Sequence, residues 1–419
     1  MSRGAAPLPD TLRRNRSFRR LWIGQTVSQL GTQVTMLALP LVAIRVLDAG
    51  PLEVGVLAAC ETLPFLLVGL PAGVWVDRRR RQPILVLADV GRAAVLAAVP
   101  VAYAFDVLAV WQLYVVALLA GAQTVFFDVA YQSYLPALVP RSRLVEGNAR
   151  LELSRSASQV AGPGAGGLLV ELLRAPYAIA VDSASFLVSA VFVAGIRTAE
   201  PDPEPAADDE RTMRRSIAVG LRYVLQHPVL RRIAACTGIS NLFSGAGMAV
   251  FLLYAVDRLD ISPGVIGLIF SLGGLGALLS AATTERIGRA LGVGLTIVVS
   301  AALTGAAFVL VPLAPRDNAV PWFLAAMLIE TFAASVYNIT QVSLRQTVTP
   351  TRMQGRMNAT MRFVVWGALP LGSLVGGVLG RVIGLQGTLW VSALGGTLCV
   401  LPLLSRSVLG LRTMPPAAE

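Results

Sequence analysis

Apolar residues fill one long stretch after another along this chain, and short polar connections separate the stretches. A helix needs about 20 mostly apolar residues to cross the hydrocarbon core of a bilayer. Twelve stretches reach that length, so the pattern predicts twelve membrane-spanning helices. We number them spans 1 to 12, with predicted bounds 21–46, 52–76, 83–105, 108–138, 146–171, 176–196, 229–256, 263–284, 292–314, 320–346, 356–381 and 385–405.

The composition agrees with an integral membrane protein. Of the 419 residues, 55% are hydrophobic and only 14% are charged, and the mean hydropathy is +0.67. The basic start of the chain leads straight into span 1, which is too long for the apolar region of a signal peptide. We therefore expect span 1 to stay in the protein.

The basic residues are all arginines, and they give a formal net charge of +11. They crowd the N-terminal tail and alternate connections, for example residues 78–81 and 211–232, whereas the other connections carry few. This asymmetry is the positive-inside pattern, and it predicts that both termini are cytoplasmic. The arginines flank membrane segments and form no patch interleaved with aromatic residues, so they do not indicate nucleic-acid binding.

Cysteine and histidine usage indicates neither a metal site nor an enzyme. Cys60, Cys236 and Cys399 each lie in an apolar span without metal-ligand spacing, and His227, the one histidine, lies in the central connection. We expect no catalytic residues, no metal and no cofactor.

The chain also divides into two similar halves. Pro51 and Gly55 recur as Pro263 and Gly267, and Gly166-Gly167 recurs as Gly376-Gly377. The predicted order is an N-terminal tail (1–20), a six-helix half (21–196), a linker (197–228), a second six-helix half (229–405) and a C-terminal tail (406–419). The linker contains an amphipathic segment, 213–226, which either lies on the anionic membrane surface or is a simple cytoplasmic helix. The predicted fold class is an all-α integral membrane protein with twelve helices in two pseudo-symmetric halves.

The loop after span 2 resembles a signature of the major facilitator superfamily. The residues that carry the resemblance are Gly73, Asp77, Arg78 and Arg81, while Arg80 and Gln82 depart from the family pattern. In that family the loop latches the cytoplasmic side of the transporter. We read Asp89 and Arg92, three residues apart in span 3, as a further gate pair.

A second signature lies in span 5, where the sequence reads SQVAGPGAGG. Its glycines also match a dinucleotide-binding loop, but no strand precedes them, which excludes that reading. The stretch resembles the fifth-helix motif of major facilitator drug antiporters, and the resemblance implies export. Small residues at intervals of four make a smooth face, for which we expect the glycines of span 8 as the partner. The motif residues are Ser158, Gly162, Pro163, Gly166 and Gly167.

Together with the segment LPALVP at 135–140, these motifs resemble the branch that contains macrolide-efflux and enterobactin-exporter-like proteins. The resemblance implies a monomeric, multi-pass transporter of the bacterial inner (cytoplasmic) membrane, exporting a drug-like, antibiotic-like or siderophore-like molecule.

Ionisable residues inside spans are costly and mark functional sites. We predict Asp128 and Glu330 as proton carriers, with Glu61 and Arg362 as further coupling candidates. Many antiporters of this family carry an arginine in the fourth helix, four residues before a glycine. The matching position before Gly121 is Ala117, so the usual coupling element is missing.

A substrate cavity is predicted from polar and aromatic residues inside the spans. Gln25, Gln29 and Gln33 form a polar stripe along span 1 that we expect to face the interior. Flat aromatic side chains suit a bulky amphipathic substrate, although each of them also fits a packing role. The remaining candidates are Phe127, Tyr131, Asn241, Tyr337 and Trp366.

The sequence thus predicts a secondary exporter, which moves an amphipathic small molecule out of the cell in exchange for protons. An importer or a lipid-moving facilitator of the same fold is the alternative, and a membrane protein that only binds a ligand is a third possibility.

Overall fold

The structure is a computed structural model that describes Leu12, residues 15–198, Glu200 and residues 210–415. Within these ranges the secondary structure is helical, mostly α-helix with three short 3-10 helices and one π-helical turn, and contains no β-strand. We number the α-helices in chain order: α1 (Arg16–Val46), α2 (Pro51–Leu67), α3 (Gly69–Asp77), α4 (Arg81–Ala104), α5 (Val110–Leu138), α6 (Leu144–Leu173), α7 (Ala175–Ala194), α8 (Glu210–Gln226), α9 (Leu230–Leu253), α10 (Pro263–Leu291), α11 (Val293–Phe308), α12 (Leu310–Leu313), α13 (Ala319–Thr347), α14 (Thr351–Val382), α15 (Gly384–Leu398) and α16 (Arg406–Leu409).

Ten helical segments in the described part of the chain are long and apolar enough to cross a membrane. They correspond to ten of the predicted spans, and the all-α, multi-pass architecture is confirmed. Spans 2 and 5 are not among the ten, so the count of twelve stays a prediction.

Each of the two remaining spans differs from a simple apolar helix for a local reason. Span 2 is divided between α2 and α3 at Val68, because Pro71 has no N–H to donate to the carbonyl of Leu67. Span 5 is one continuous helix, α6, in which Pro163 is accommodated. The first half of α6 is polar and carries four charged residues, Glu146, Arg150, Glu152 and Arg155.

The chain forms two compact units. Unit 1 consists of Met1–Val42 and Pro64–Ala207, and in it α4 packs against α5 and α7. Its polarity is reversed relative to a water-soluble protein: Leu87 is 70% exposed and Val191 is 73% exposed, whereas Asp89 is 0% and Asp182 is 1% exposed. This arrangement suits an environment of lipid, where apolar side chains face outward.

Unit 2 consists of Ala43–Leu63 and Asp208–Glu419, so it includes most of α2. Within it α9 packs against α14 and α15, and α10 packs against α13. The segment predicted to be amphipathic is helical, as part of α8, and it packs against α14. Val224 of α8 is buried, while Leu221 and Leu225 are about half exposed. The side chains of residues 210–217, with the first part of the predicted apolar face, lie outside the described residues.

Close backbone contacts at glycines hold the helices of unit 2 together. A Cβ on Gly305 of α11 would lie 2.2 Å from the carbonyl carbon of Gly396 on α15, so no other residue fits there. A Cβ on Gly55 of α2 would lie 2.7 Å from the Cα of Gly377 on α14. Such small-residue contacts provide the van der Waals packing that drives helix association in lipid.

The repeat in the sequence has a counterpart in the backbone. Asp48 and Asp260, which are 212 residues apart, both adopt a left-handed conformation, with φ of 50° and 52°. Each stands in the turn before a helix that begins with proline, Pro51 of α2 or Pro263 of α10. The same backbone hydrogen bond closes both turns, from Ala49 N to Ala43 O and from Ile261 N to Ala255 O. Aspartate tolerates this conformation better than most residues do.

Candidate functional site

The loop after α3 is anchored by an acid from the linker. The carboxylate of Glu200 accepts hydrogen bonds from the backbone N–H groups of Arg81 at 2.8 Å and Gln82 at 3.3 Å. The guanidinium of Arg81 also donates to Glu200, at 3.3 Å. An anion at a helix N-terminus pairs with unsatisfied N–H groups and with the helix dipole, so Glu200 stabilises the start of α4.

Gln82, a departure from the family pattern, connects α4 to the end of α7. Its Nε2 donates to the carbonyl oxygens of Val193 at 3.0 Å and Ile196 at 2.8 Å, at the C-terminal end of α7. Arg81 is thus bound to the linker in this structure, and Gln82 to the end of α7. Gly73 has open space where a Cβ would stand, and the side chain of Asp77 lies outside the described residues.

Asp89 and Arg92 form the predicted ion pair, and it lies inside unit 1. Arg92 donates from Nη2 to the Asp89 carboxylate, and both side chains are almost fully buried. The guanidinium carbon of Arg92 lies 4.4 Å from the ring centroid of Phe127 and 4.1 Å from that of Phe186. Two aromatic faces therefore stabilise the buried cation by cation–π contacts. Phe127, expected in the cavity, is 1% exposed and packs against this pair.

Asp182, an acid without a role in the predicted site, connects α7 to α1. Its carboxylate accepts hydrogen bonds from Thr35 Oγ1 at 2.5 Å and Ser185 Oγ at 3.0 Å. The absence of a side chain at Gly31 of α1 makes space for the Asp182 carboxylate, because a Cβ there would lie 2.4 Å from an Asp182 oxygen. Thr35 is 147 positions from Asp182, so spacing in the sequence gave no sign of that contact, whereas Ser185 is only three positions away on the same helix.

Several polar atoms of the predicted cavity are buried without a hydrogen-bond partner in the described part of the chain. They are Oε1 of Gln25 and Gln29 and the hydroxyl of Tyr131, all in unit 1. Gln123 Oε1, beside Gly91, is a further such atom that the sequence did not indicate. Buried polar groups normally find a partner, so these atoms have unused hydrogen-bonding capacity.

The small-residue face of α6 packs against α1. A Cβ on Gly162 would lie 2.4 Å from Cγ of Gln33, and a Cβ on Gly166 would lie 3.0 Å from the Cα of Val34. Ser154 accepts a hydrogen bond from Trp22 Nε1 at 2.7 Å in the same contact. We expected the glycines of span 8 opposite Gly162 and Gly166, whereas the structure places α1 there. Ser158 and Gly167 are also buried.

The bare face of α10, which corresponds to span 8, is covered within unit 2. A Cβ on Gly273 would lie 2.6 Å from Cβ of Met327, and one on Gly276 would lie 2.3 Å from the carbonyl oxygen of Leu328. Both neighbours belong to α13, which therefore packs against this glycine face of α10.

The remaining candidates in unit 2 lie on α2, α9, α13 and α14. Glu61 and Glu330 are half-buried inside predicted spans and have no hydrogen-bond or ion-pair partner among the described residues. Tyr337 and Thr237 share a hydrogen bond of 2.8 Å between their hydroxyl groups. Asn241 and Trp366 are half-buried, and Arg362 is exposed. In unit 1, Asp128 is half-buried on α5.

His227 has a structural role at the start of α9. Its Nδ1 accepts hydrogen bonds from the backbone N–H groups of Val229 and Leu230, each at 3.3 Å. Burial lowers the pKa of His227, which favours the neutral ring that can accept these bonds. In acid, protonation would remove the acceptor and weaken the start of α9.

These features define a multi-pass membrane protein with polar groups and an ion pair buried among its helices. Such groups are costly inside a membrane and are typical of membrane transporters. The sequence profile of the transmembrane secretion effector family matches residues 5–413, and the chain belongs to this family of the major facilitator superfamily. It is a transport protein and not an enzyme.

Relatives match over most of their length. The MFS-type transporter YfiS of Bacillus subtilis is 27% identical over 384 residues, covering 89% of each chain. The multidrug efflux pump Tap of Mycolicibacterium fortuitum is 27% identical, covering 85% of this chain and 88% of the pump. The enterobactin exporter EntS of Escherichia coli O127:H6 is 26% identical, covering 83% and 81%.

Solved structures of transporters share the fold. A bacterial homologue of the iron transporter ferroportin, in its inward-facing state, superposes with a TM-score of 0.77 and 16% identity, covering 93% of this chain and 98% of its own. The nucleoside transporter NupG gives a TM-score of 0.73 at 12% identity, with 93% of this chain and 98% of NupG covered. At these identities the likeness concerns the fold alone.

Proposed function

We propose that this protein is a secondary active exporter of an amphipathic small molecule, and that it exchanges the molecule for protons by alternating access. The observation that carries the proposal is the similarity of this chain to a multidrug efflux pump and to an enterobactin exporter, over more than four-fifths of each chain. The buried polar atoms of Gln25, Gln29 and Tyr131 support it, because a transported molecule with polar groups needs partners inside the bundle.

The same proposal includes topology and coupling. Twelve spans in two six-helix halves put both termini in the cytoplasm. The membrane is the bacterial inner membrane, and the monomer is the transporting unit. Asp128 and Glu330 are the proposed proton carriers, and Glu61 is a further candidate. Glu61 and Glu330 lie inside predicted spans without an ion-pair partner in the described chain, which supports their part in the proposal. A carboxylate without a fixed partner can gain and lose a proton as its surroundings change.

Transport in inside-out membrane vesicles tests the proposal. Vesicles with an acidic interior are offered a panel of amphipathic antibiotics and a catecholate siderophore, and accumulation is measured with and without the proton gradient. We expect accumulation of at least one compound, and its collapse when a protonophore dissipates the gradient. Replacing Glu330→Gln or Glu61→Gln should lower gradient-driven accumulation about tenfold or more, while binding of the compound persists.

The matched control is Glu285→Gln, because the Glu285 side chain is 85% exposed and makes only a 3.8 Å ion pair with Arg289. This variant should transport normally. Gradient-driven loss of compound from the vesicles would instead indicate an importer, and movement of labelled phospholipid alone would indicate a lipid facilitator. Binding without transport of any compound would indicate a ligand-binding protein.

A further inference from the structure

Two cysteines that are far apart in the sequence meet inside unit 2. Cys236 lies in α9 and Cys399 follows α15 directly, 163 residues later. Their sulfur atoms are 3.7 Å apart, which is van der Waals contact, and both residues are 0% exposed. The third cysteine, Cys60, is half-buried on α2 and does not belong to the buried cluster that contains this pair, so it offers an internal comparison.

The surroundings of the two thiols are mainly apolar, although Ser240 is a polar neighbour of Cys399 and Tyr337 a polar neighbour of Cys236. Ile233, Ile297, Leu344 and Leu403 belong to the cluster of buried residues that contains both cysteines. Tyr337 packs against this cluster, and its hydroxyl is hydrogen-bonded to Thr237, the neighbour of Cys236. A charged reagent is excluded from such a place, because transferring an ion into it is costly. A small uncharged reagent is not excluded on that ground.

We propose that Cys236 and Cys399 form an oxidisable dithiol, which a small uncharged peroxide converts reversibly into a disulfide. One sulfur attacks a peroxide oxygen, which breaks the O–O bond and gives a sulfenic acid and one water molecule. The second sulfur attacks the sulfenic sulfur, the S–O bond breaks, and a second water leaves. In sum, two thiols and one hydrogen peroxide give one disulfide and two water molecules.

The geometry favours closure of the bond between these two sulfurs over reaction elsewhere. A disulfide bond is about 2.05 Å long, so the two sulfurs, now 3.7 Å apart, must approach by about 1.7 Å to form one. The sulfenic acid formed on one cysteine already has the other thiol as its neighbour. The bond would join α9 to the segment after α15.

Mass spectrometry of the full-length protein in detergent tests this inference. The protein is treated with hydrogen peroxide, unfolded, alkylated with a small maleimide and digested. We expect a linked peptide pair that contains Cys236 and Cys399 and has lost two hydrogen atoms, with Cys60 still alkylated. Reduction with dithiothreitol before alkylation should restore the thiols of Cys236 and Cys399, so that all three cysteines are then alkylated. The oxidised protein should also melt about 5 °C higher than the reduced one, because the bond restricts the unfolded chain.

Matched variants separate this bond from other oxidation products. Cys60→Ser should leave the linked pair and the melting shift unchanged, whereas Cys236→Ser and Cys399→Ser should abolish both. If the serine variants do not fold, the peptide map of the wild-type protein decides alone. Alkylation of both thiols after peroxide treatment, oxidation to sulfinic acid without a link, or a link through Cys60 would each overturn the proposal. None of these outcomes depends on whether the protein exports anything.

Discussion

Arg92 brings a positive charge into the interior of unit 1, where Asp89 neutralises it and the rings of Phe127 and Phe186 cover it. Removing one member of a buried pair leaves the other charge without compensation, which typically costs about 3–5 kcal/mol. We therefore expect Arg92→Met to lower the stability of the protein by about that amount. Thermal unfolding in detergent, followed by tryptophan fluorescence, measures the change.

The double variant Asp89→Asn with Arg92→Met distinguishes charge from shape. It has the same loss of cation–π contact as Arg92→Met but leaves no carboxylate unpaired. It should therefore recover most of the lost stability. The single variant Asp89→Asn is measured as well. If the stability losses of the two single variants simply add in the double variant, the pair matters through packing with the aromatic rings and not through its charges.

At the scale of single residues, the sequence predicted local partners and missed distant ones. Asp89 and Arg92 are three positions apart on one helix, so their pairing could be read from the helical period. Asp182 accepts a hydrogen bond from Thr35 in another helix, and Glu200 accepts hydrogen bonds from backbone N–H groups of α4. Contacts of this second kind arise from packing, which leaves no pattern in a single sequence.

At the scale of helices, α2 and α14 approach each other backbone to backbone. A Cβ on Gly377 would lie 2.9 Å from the carbonyl oxygen of Pro51 and 3.1 Å from the Cα of Gly55. A leucine at Gly377 must push the two helices apart, because backbone atoms cannot move away as a side chain can. We expect Gly377→Leu to lower stability by about 1–3 kcal/mol and to slow transport several-fold, while the protein still inserts into the membrane.

Gly355→Leu is the matched control on the same helix, since a Cβ on Gly355 meets no atom within 4 Å. Melting temperature and the vesicle assay are measured for both variants, together with the amount of protein in the membrane. If the two leucine variants behave alike, the contact between α2 and α14 does not limit transport.

The sequence predicted helices well where apolar residues are continuous and less well where charge or proline interrupts them. Ten spans correspond to helical segments of sufficient length and hydropathy, because each run of apolar residues determines its own helix. Pro71 divides span 2, and charged residues fill the first half of α6. The partner of the α6 glycines was predicted wrongly, since a small-residue face records that something approaches closely but not which helix does.

At the scale of the whole molecule, the internal repeat in the sequence has a counterpart in distant parts of the structure. The positions that match at a distance of 212 residues include Pro51 and Pro263, and the left-handed turns at Asp48 and Asp260 precede them. Repeated turn chemistry could be read from the sequence because it is local. The meeting of Cys236 with Cys399 could not, because 163 residues separate them and each lies in an ordinary apolar span.

The repeat also bears on how many times the chain crosses the membrane. The turn at Asp48 leads into α2, and its counterpart at Asp260 leads into α10, which is one of the ten segments long and apolar enough to span. If the two halves follow one plan, α2 with α3 should cross the bilayer as α10 does. The loop at 47–50 and the loop at 78–80 should then lie on opposite sides of the membrane, with the arginines of the second loop in the cytoplasm.

Reporter fusions decide this directly. Alkaline phosphatase, which is active outside the cytoplasm, and a fluorescent protein that folds inside it are fused in turn after residues 48, 80, 142 and 174. We expect phosphatase activity at 48 and 174 and fluorescence at 80 and 142, because α2 with α3 separates the first pair of sites and α6 separates the second. Equal signals at 48 and 80, or at 142 and 174, would mean that the broken or polar helix between them does not span. The count would then fall below twelve, and the arginines of one connection would lie on the side that the positive-inside rule disfavours.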